Sequence, residues 1–234
     1  VIPEENKKYY TEKILYLKSS FLPYDNTKEI SESKFSRKEL GLPSNGFIFT
    51  CFNNIQKITR KEFKIWINLL KRIDNSYLWI MKPHSSAINN IYNEITKQGL
   101  EKERIIFAEK MNQNDHLSRY SCGDLFLDTF NYTAGTTALD ALCAGLPLIT
   151  LSGKSFSAKQ AASILNCCNL NELITHNEFE YEALAYELAT NCKMLNKIRS
   201  KLKEKASSFF DSNKFRSDLE NIYIKLVNSH LLNK

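Results

Sequence analysis

The sequence predicts an α/β protein whose parallel β-sheet is flanked by helices. From about residue 46, short apolar runs rich in β-branched and aromatic residues alternate with amphipathic stretches of helical length. This alternation is typical of βαβ units and therefore of a Rossmann-like lobe. The predicted strands cover residues 47–52, 77–81, 104–107, 124–127 and 146–151.

The intervening segments carry helical signals. In residues 59–73 one stripe is apolar, formed by Phe63, Trp66, Ile67 and Leu70, and Thr59 precedes it as a candidate N-cap. Residues 87–99 repeat the pattern and end on Gly99, a residue favoured just after a helix. After residue 155 the pattern is mostly helical to the end of the sequence.

The chain divides into three predicted parts. Residues 41–175 form the Rossmann-like lobe, and residues 176–234 form C-terminal helices that pack on it. We interpret residues 1–40 as the remnant of an N-terminal lobe and a connection between lobes, in which residues 13–17 (KILYL) could form a strand and the polar residues 24–39 make the connection. Since the first residue is Val, we expect the sequence to be a piece of a longer chain.

Composition narrows the class of protein. With 43% hydrophobic and 25% charged residues, the chain is typical of a soluble globular protein. No apolar run approaches the roughly 20 residues of a membrane span, and the N-terminus lacks the pattern of a signal peptide. We therefore expect neither a membrane partner nor secretion.

Charge and cysteine usage further narrow the class of protein. The net charge of +6 is spread among alternating acidic and basic residues, which indicates solvated helix faces rather than a nucleic-acid interface. The six cysteines have no C-x-x-C spacing, and the four histidines are scattered. These patterns predict reduced core thiols in a cytoplasmic protein and no metal site.

Polar residues follow three of the predicted strands. The segments NNIQK, EKMNQNDHLSR and TFNYTAGTT come after the first, third and fourth strands. Because ligands of open parallel sheets bind at the carboxyl ends of the strands, we expect these three loops to meet at one site.

The segment that starts a helix at about Gly135 is the most informative of these loops. A helix start offers free N–H groups and the positive end of a dipole. Gly135 allows a ligand to approach the backbone closely, and Thr136 and Thr137 add hydroxyl donors. All of these features favour the binding of a diphosphate. Asp140, one turn later, could accept hydrogen bonds from ribose hydroxyls. Alternatively, Thr136 caps the helix and Asp140 only complements the dipole.

Three further side chains could complete a nucleotide site. Lys57 lies just beyond the first strand, where its ammonium could stabilise a leaving diphosphate. His116 and Arg119 share a helix face after the third strand, where an imidazole could stack on a base and a guanidinium could bind its edge. Alternatively, these three are ordinary solvated surface residues.

The sequence lacks two common nucleotide-binding motifs. GKS at 153–155 resembles the end of a P-loop, but the preceding glycine is eight positions earlier instead of five and Pro147 intervenes. The seven glycines include no G-x-G-x-x-G, so a dehydrogenase is disfavoured.

Longer stretches resemble a known family. Residues 49–58 (FTCFNNIQKI), 104–165 and 172–175 (ELIT) are similar to the C-terminal lobe of the protein O-linked N-acetylglucosamine transferases, which include the plant SPINDLY-type fucosyltransferases. The resemblance covers residues 10–226. It implies a two-lobed glycosyltransferase-B fold, usually preceded by tetratricopeptide (TPR) repeats, that transfers a sugar from a UDP donor to Ser or Thr with inversion and without an essential metal or other cofactor.

The resemblance also implies roles for individual residues. Lys57 would bind the diphosphate and stabilise the leaving group, with Asn54 standing where the family often has Gln. The remaining nucleotide contacts would come from Met111 (backbone), His116 and Arg119 at the uracil, Thr136 and Thr137 at the phosphates, and Asp140 at the ribose.

Two positions depart from the family pattern. Gly135 stands where a His commonly precedes the threonines, and Gln113 stands where many members have a ribose-contacting Lys. The N-terminal lobe, with its candidate catalytic histidine and most of the acceptor groove, is not among these residues.

The sequence therefore predicts the UDP-sugar-binding lobe of a bacterial-type protein O-glycosyltransferase, with UDP-GlcNAc as the donor and a protein as the acceptor. This piece alone is expected to bind UDP weakly and to be nearly inactive. The alternatives are a UDP-sugar epimerase of the same architecture and a degenerate, noncatalytic nucleotide-sugar-binding module.

Overall fold

The fold is taken from a computed structural model that describes residues 1–18, 20–25, 27–28, 35–209 and 211–232, without the side chains at 205–209, 230 and 232. Its strands are β1 (Phe47–Cys51), β2 (Ser76–Met81), β3 (Ile105–Ala108), β4 (Leu125–Leu127), β5 (Leu148–Leu151) and β6 (Ile174–Thr175). Its α-helices are α1 (Arg60–Arg72), α2 (Ser85–Lys97), α3 (Gln113–Ser118), α4 (Thr136–Cys143), α5 (Gln160–Cys167), α6 (Glu178–Thr190), α7 (Cys192–Phe209) and α8 (Ser212–Leu232).

The six strands form one sheet in the order β3-β2-β1-β4-β5-β6, and every neighbouring pair is parallel. The predicted α/β class with a parallel sheet is confirmed, as are its five strands. β6 was missed because a strand of two residues carries too little apolar pattern to be recognised. The fifth strand begins two residues later than predicted because the amide of Leu146 donates to Ala141 and closes the end of α4.

The predicted signals for α1 and α2 are confirmed. Thr59 caps α1 in a capping box with Glu62, and the Thr59 amide donates to the Glu62 carboxylate at 2.8 Å. Trp66 on its apolar stripe is 1% exposed and packs against the sheet. Gly99, just after α2, has a φ of +75°, a left-handed conformation that glycine adopts without strain.

Residues 13–17 do not form the predicted strand. They have no ladder partner among the described residues, and Leu15 and Tyr16 are each 44% exposed. An apolar run is not sufficient for a strand, since its amides and carbonyls need a neighbouring strand. Much of the predicted connection at 24–39 lies outside the described residues.

The cysteines are only partly the core thiols that were expected. All six lie among the described residues as free thiols, and Cys51, Cys122 and Cys168 are buried. Cys192 is exposed, because it begins α7 at the turn after α6. Among the described residues, no helix combines the length and apolar character needed to cross a bilayer.

Candidate functional site

The strand order places a binding crevice at one point of the sheet. β1 and β4 are neighbours, and the chain leaves β1 toward β2 but leaves β4 toward β5, so connections diverge between them. In open α/β sheets ligands bind at the carboxyl ends of strands at such a switch point. The loops that follow β1 and β4 are the two predicted to carry Lys57 and Gly135.

The loop after β4 ends in the start of α4. Gly135 is the N-cap residue and is buried, Thr136 is exposed and Thr137 is half-buried. The structure therefore rejects the alternative in which Thr136 caps the helix. The first amides of a helix lack intrahelical acceptors, so this turn can donate hydrogen bonds to an anion.

Close contacts surround Gly135. A Cβ atom there would lie 2.8 Å from Oε1 of Gln160 and 3.2 Å from Cδ1 of Leu22. The side chains of Gln160 and Leu22 thus fill the space that a larger residue at position 135 would need. A ligand at this turn is expected to meet backbone amides and not a side chain from position 135.

The loop after β1 brings Lys57 to the loop after β4. Asn54 caps the short 3₁₀ helix Ile55–Lys57 by accepting from the amide of Gln56 at 3.0 Å. The ammonium of Lys57 lies 4.0 Å from the ring centroid of Tyr132, which belongs to the loop after β4. Two loops about 75 residues apart in sequence therefore converge, as the sequence predicted.

The loop after β3 carries the third group of predicted residues. Met111 is half-buried and Gln113 is exposed at the first position of α3. Asn112 caps α3 by accepting from the amide of Asp115 at 2.9 Å. The amide of His116 donates to the carbonyl of Asn112 at 2.9 Å, so His116 lies one turn into this helix.

Arg119 is buried and pairs with the half-buried His116, so the two are not the solvated pair considered as an alternative. Arg119 is 1% exposed, and its guanidinium donates to the carbonyl of Glu109 at 2.6 Å and to Nδ1 of His116. The His116 ring packs 5.3 Å from the Phe52 ring. Burial, reinforced by the Arg119 charge, lowers the pKa of His116 to about 4, so the imidazole is neutral and carries its proton on Nε2.

The guanidinium of Arg119 remains a cation in this setting. Burial lowers its pKa to about 10, which still leaves it charged at neutral pH. Because it already donates to Glu109 and His116, its contacts orient the imidazole. The edge-binding role assigned to Arg119 from the sequence stays a prediction.

Asp140 has a partner that sequence reasoning missed. Its carboxylate lies 3.0 Å from the ammonium of Lys28, and both side chains are about 15% exposed. Lys28 in turn lies 4.8 Å from the centroid of the Tyr24 ring. Nothing in the sequence links Lys28 to Asp140, since 112 residues separate them.

Asp128 is a second residue that was missed. It follows β4 directly, is fully buried, and accepts hydrogen bonds from Thr150, Asn53 and two backbone amides. Burial raises the pKa of its carboxyl group to about 6 against the opposing effect of these bonds. A carboxylate inside the apolar run LFLDTF was the sequence signal that could have identified it.

The loops after β1, β3 and β4 and the start of α4 carry groups that suit a nucleoside diphosphate. These groups are the Lys57 ammonium, the start of α4 with its two threonine hydroxyls, the neutral His116 imidazole packed on the Phe52 ring, and the Asp140 carboxylate. Within the described residues, no group of three His, Cys, Asp or Glu side chains could hold a metal ion.

The sequence profile of the family described as glycosyl transferase family 41 matches residues 27–219, more than half of the chain. The chain belongs to glycosyl transferase family 41. This membership agrees with the resemblance to O-GlcNAc transferases, which the names of the relatives below confirm.

Individual relatives are similar in sequence to nearly the whole chain. The Arabidopsis thaliana protein named "Probable UDP-N-acetylglucosamine--peptide N-acetylglucosaminyltransferase SEC" is 30% identical over 98% of this chain and 24% of its own length. The Solanum lycopersicum SPINDLY protein with the same enzyme name is 32% identical over 94% of this chain, again 24% of its own length. The chain thus spans about a quarter of the length of these relatives.

A solved family structure has the same fold. A mutant of the Thermobaculum terrenum O-GlcNAc transferase superposes with a TM-score of 0.83 at 25% identity, covering 95% of this chain and 42% of that one. The fold is that of a glycosyltransferase-B lobe, as the sequence predicted.

Proposed function

We propose that the chain is the donor-binding lobe of a protein O-glycosyltransferase that takes UDP-GlcNAc as donor and a Ser or Thr hydroxyl as acceptor. The observation that carries this proposal is the contact of Lys57 with Tyr132, which joins the loop after β1 to the loop that leads into the Gly135 turn, at the switch point of the sheet. The names of the family relatives support the donor and the peptide acceptor.

The proposed chemistry is stabilisation of the leaving group. When the bond between the sugar and the diphosphate breaks, negative charge grows on the departing UDP. The ammonium of Lys57 and the amides at the start of α4 would neutralise that charge, which is the main form of catalysis available to a lobe without its own base. This scheme is metal-independent and gives inversion when the acceptor hydroxyl attacks from the opposite face.

The other site residues would bind the nucleoside. Neutral His116 would stack on uracil and donate from Nε2, with the backbone near Met111 beside it. Asp140, which pairs with Lys28, would accept from the ribose hydroxyls, with Gln113 and Asn54 at the margin of the site.

The remaining parts of the reaction belong outside this chain. An N-terminal lobe would supply the acceptor groove and the base, and TPR repeats would precede it. We propose a cytoplasmic, bacterial-type enzyme, and we expect residues 1–234 alone to transfer little or no sugar. Measurable transfer to a protein acceptor by these residues alone would contradict the last expectation.

The test is a calorimetric titration of UDP into the 234-residue chain and into its Lys57→Ala and Asp140→Ala variants. Each substitution should weaken binding by about 1–3 kcal/mol, the scale of a lost charged hydrogen bond. Lys61→Ala is the matched control, since the side chain of Lys61 is 74% exposed and pairs with Glu178 on α6. Absence of UDP binding to the parent chain, or equal binding by all variants, would overturn the proposal.

A further inference from the structure

The buried carboxylate of Asp128 gathers donors from two different loops. Its Oδ1 atom accepts from the amides of Thr129 and Ala134, each at 2.8 Å, and from Nδ2 of Asn53 at 2.9 Å. Its Oδ2 atom accepts from the hydroxyl of Thr150 at 2.7 Å. One oxygen therefore closes the loop after β4 on itself and joins it to the loop after β1.

Asn53 also strengthens the junction between these two loops. Its Nδ2 also donates to Oγ1 of Thr129 at 3.0 Å, and that hydroxyl donates to the carbonyl of Tyr132 at 2.7 Å. Asn53 is 2% exposed and lies four residues before Lys57, whereas the Tyr132 ring is the one that the Lys57 ammonium contacts. The hydrogen bonds run from one side of the Lys57–Tyr132 contact to the other.

Two core side chains also hold this junction in place. The hydroxyl of Tyr181 on α6 donates to the backbone carbonyl of Asp128 at 3.0 Å, and the indole N–H of Trp66 on α1 donates to that hydroxyl at 3.3 Å. Both rings are fully buried. The position of the Asp128 carboxylate is thus fixed by the packed core rather than by the flexible ends of the loops.

We infer that Asn53 and Asp128 are positioning residues of the donor site, which hold Lys57 and the Gly135 turn at the separation that a diphosphate requires. This inference rests on the proposed function. Neither residue touches the ligand, because both are buried beneath the loops. Without the carboxylate, three buried donors from two loops would lose their common acceptor, and the two phosphate-binding elements would move independently.

A double-mutant cycle tests this coupling. UDP is titrated into the parent chain, Asn53→Ala, Lys57→Ala and the double variant, after melting curves have shown each to be folded. We expect Asn53→Ala to weaken UDP binding about tenfold in the parent and less than about twofold in the Lys57→Ala background, since its effect passes through Lys57. Asn93→Ala, an exposed change on α2, is the control and should leave the affinity unchanged.

A conservative variant gives a second readout. Asp128→Asn keeps an oxygen at the Oδ1 position for its three donors and can donate its amide to Thr150, so its affinity for UDP should stay within about threefold of the parent. Asp128→Ala should lose the affinity as Asn53→Ala does. If Asn53→Ala does not fold, Thr129→Val replaces it in the cycle, because it removes the hydroxyl that Asn53 shares with Tyr132.

The outcomes separate the inference from the proposed function. Equal weakening by Asn53→Ala in both backgrounds would show a merely structural role and overturn the inference while UDP binding stands. A parent chain that binds no UDP would overturn the proposed function, and the positioning role with it.

Discussion

The ammonium of Lys57 lies 4.0 Å from the ring centroid of Tyr132, so the loop after β1 touches the loop after β4 at the carboxyl edge of the sheet. Tyr132 is 48% exposed, which leaves its ring accessible to a ligand. A cation held over an aromatic face is attracted by the ring quadrupole. The contact thus places the one cation of the β1 loop before any diphosphate arrives.

Substitution of Tyr132 should reveal this placement. Tyr132→Ala is expected to weaken UDP binding by about 0.5–1 kcal/mol, the energy of an exposed cation–π contact, because Lys57 loses its support. Tyr132→Phe keeps the ring face and should bind like the parent. Calorimetric titration of the three chains measures both effects, and equal losses in the two variants would assign the effect to the hydroxyl instead.

Acid should destabilise the fold through His116. Its pKa of about 4 in the folded chain lies below the ordinary value of 6.5, so the unfolded chain takes up a proton first as the pH falls. The stabilisation is complete above about pH 6.5 and is lost as the pH falls toward 4, with an upper limit of about 2 kcal/mol because solvent screens part of the half-buried ring.

The comparison of His116→Gln with the parent isolates this effect. The difference in their unfolding free energies should change by up to that amount between pH 7 and pH 4, measured by urea denaturation. His176→Gln is the matched control, because His176 is exposed before α6. A pH-independent difference for His116→Gln would contradict a neutral imidazole at this half-buried position.

Asp128 should respond to acid in the opposite direction. Its folded-state pKa of about 6 lies above the ordinary value of 3.8, so the folded chain takes up the proton first. The penalty of the buried charge is present above about pH 6 and is relieved as the pH falls toward 3.8. Relative to Asp128→Asn, the parent should therefore gain up to about 3 kcal/mol over that interval in urea denaturation. A parent that loses stability relative to Asp128→Asn would show that hydrogen bonding, not desolvation, dominates at this carboxyl.

The sequence predicted the framework of the site better than its internal contacts. Continuous apolar runs revealed five of the six strands, and the rule that ligands bind at strand ends placed Lys57 and Gly135 in loops that are in contact. Contacts between Asn53 and Asp128 or between Lys28 and Asp140 span 75 and 112 residues, and no periodicity encodes them. The run at 13–17 shows the converse error, in which a local pattern had no neighbouring strand to satisfy it.

The Lys28–Asp140 pair should be energetically coupled. Removal of either partner leaves the other charge largely buried without compensation, so Lys28→Met and Asp140→Asn should each lower the unfolding free energy by about 1 kcal/mol. The double variant should cost less than the sum of the two. Lys7→Met breaks an exposed pair with Glu4 and should cost almost nothing. Strict additivity of the two substitutions in urea denaturation would mean that the contact contributes no net energy.

Asp124 should contribute to the stability of the fold but not to ligand binding, because it lies at the opposite, amino edge of the same strands. Its Oδ2 atom accepts from Arg37 at 2.7 Å and from the amide of Ile48 at 2.8 Å, and its Oδ1 atom lies 3.0 Å from Arg199. One carboxylate thereby ties the segment before β1 and the helix α7 to the start of the sheet. Asp124→Ala leaves two guanidinium groups without it and should lower the unfolding free energy by about 2–3 kcal/mol.

The same substitution should not change UDP affinity, because ligands of parallel sheets bind at the carboxyl edge and the positions of Lys57 and Gly135 are set there by contacts that do not include Asp124. Urea denaturation and calorimetric titration of one preparation measure both quantities. Arg216→Ala, which removes an exposed ion pair with Glu220 on α8, controls for the loss of surface charge. A folded Asp124→Ala chain with UDP affinity reduced more than about threefold would show that the two edges of the sheet are coupled, and the site could then no longer be described by its rim residues alone.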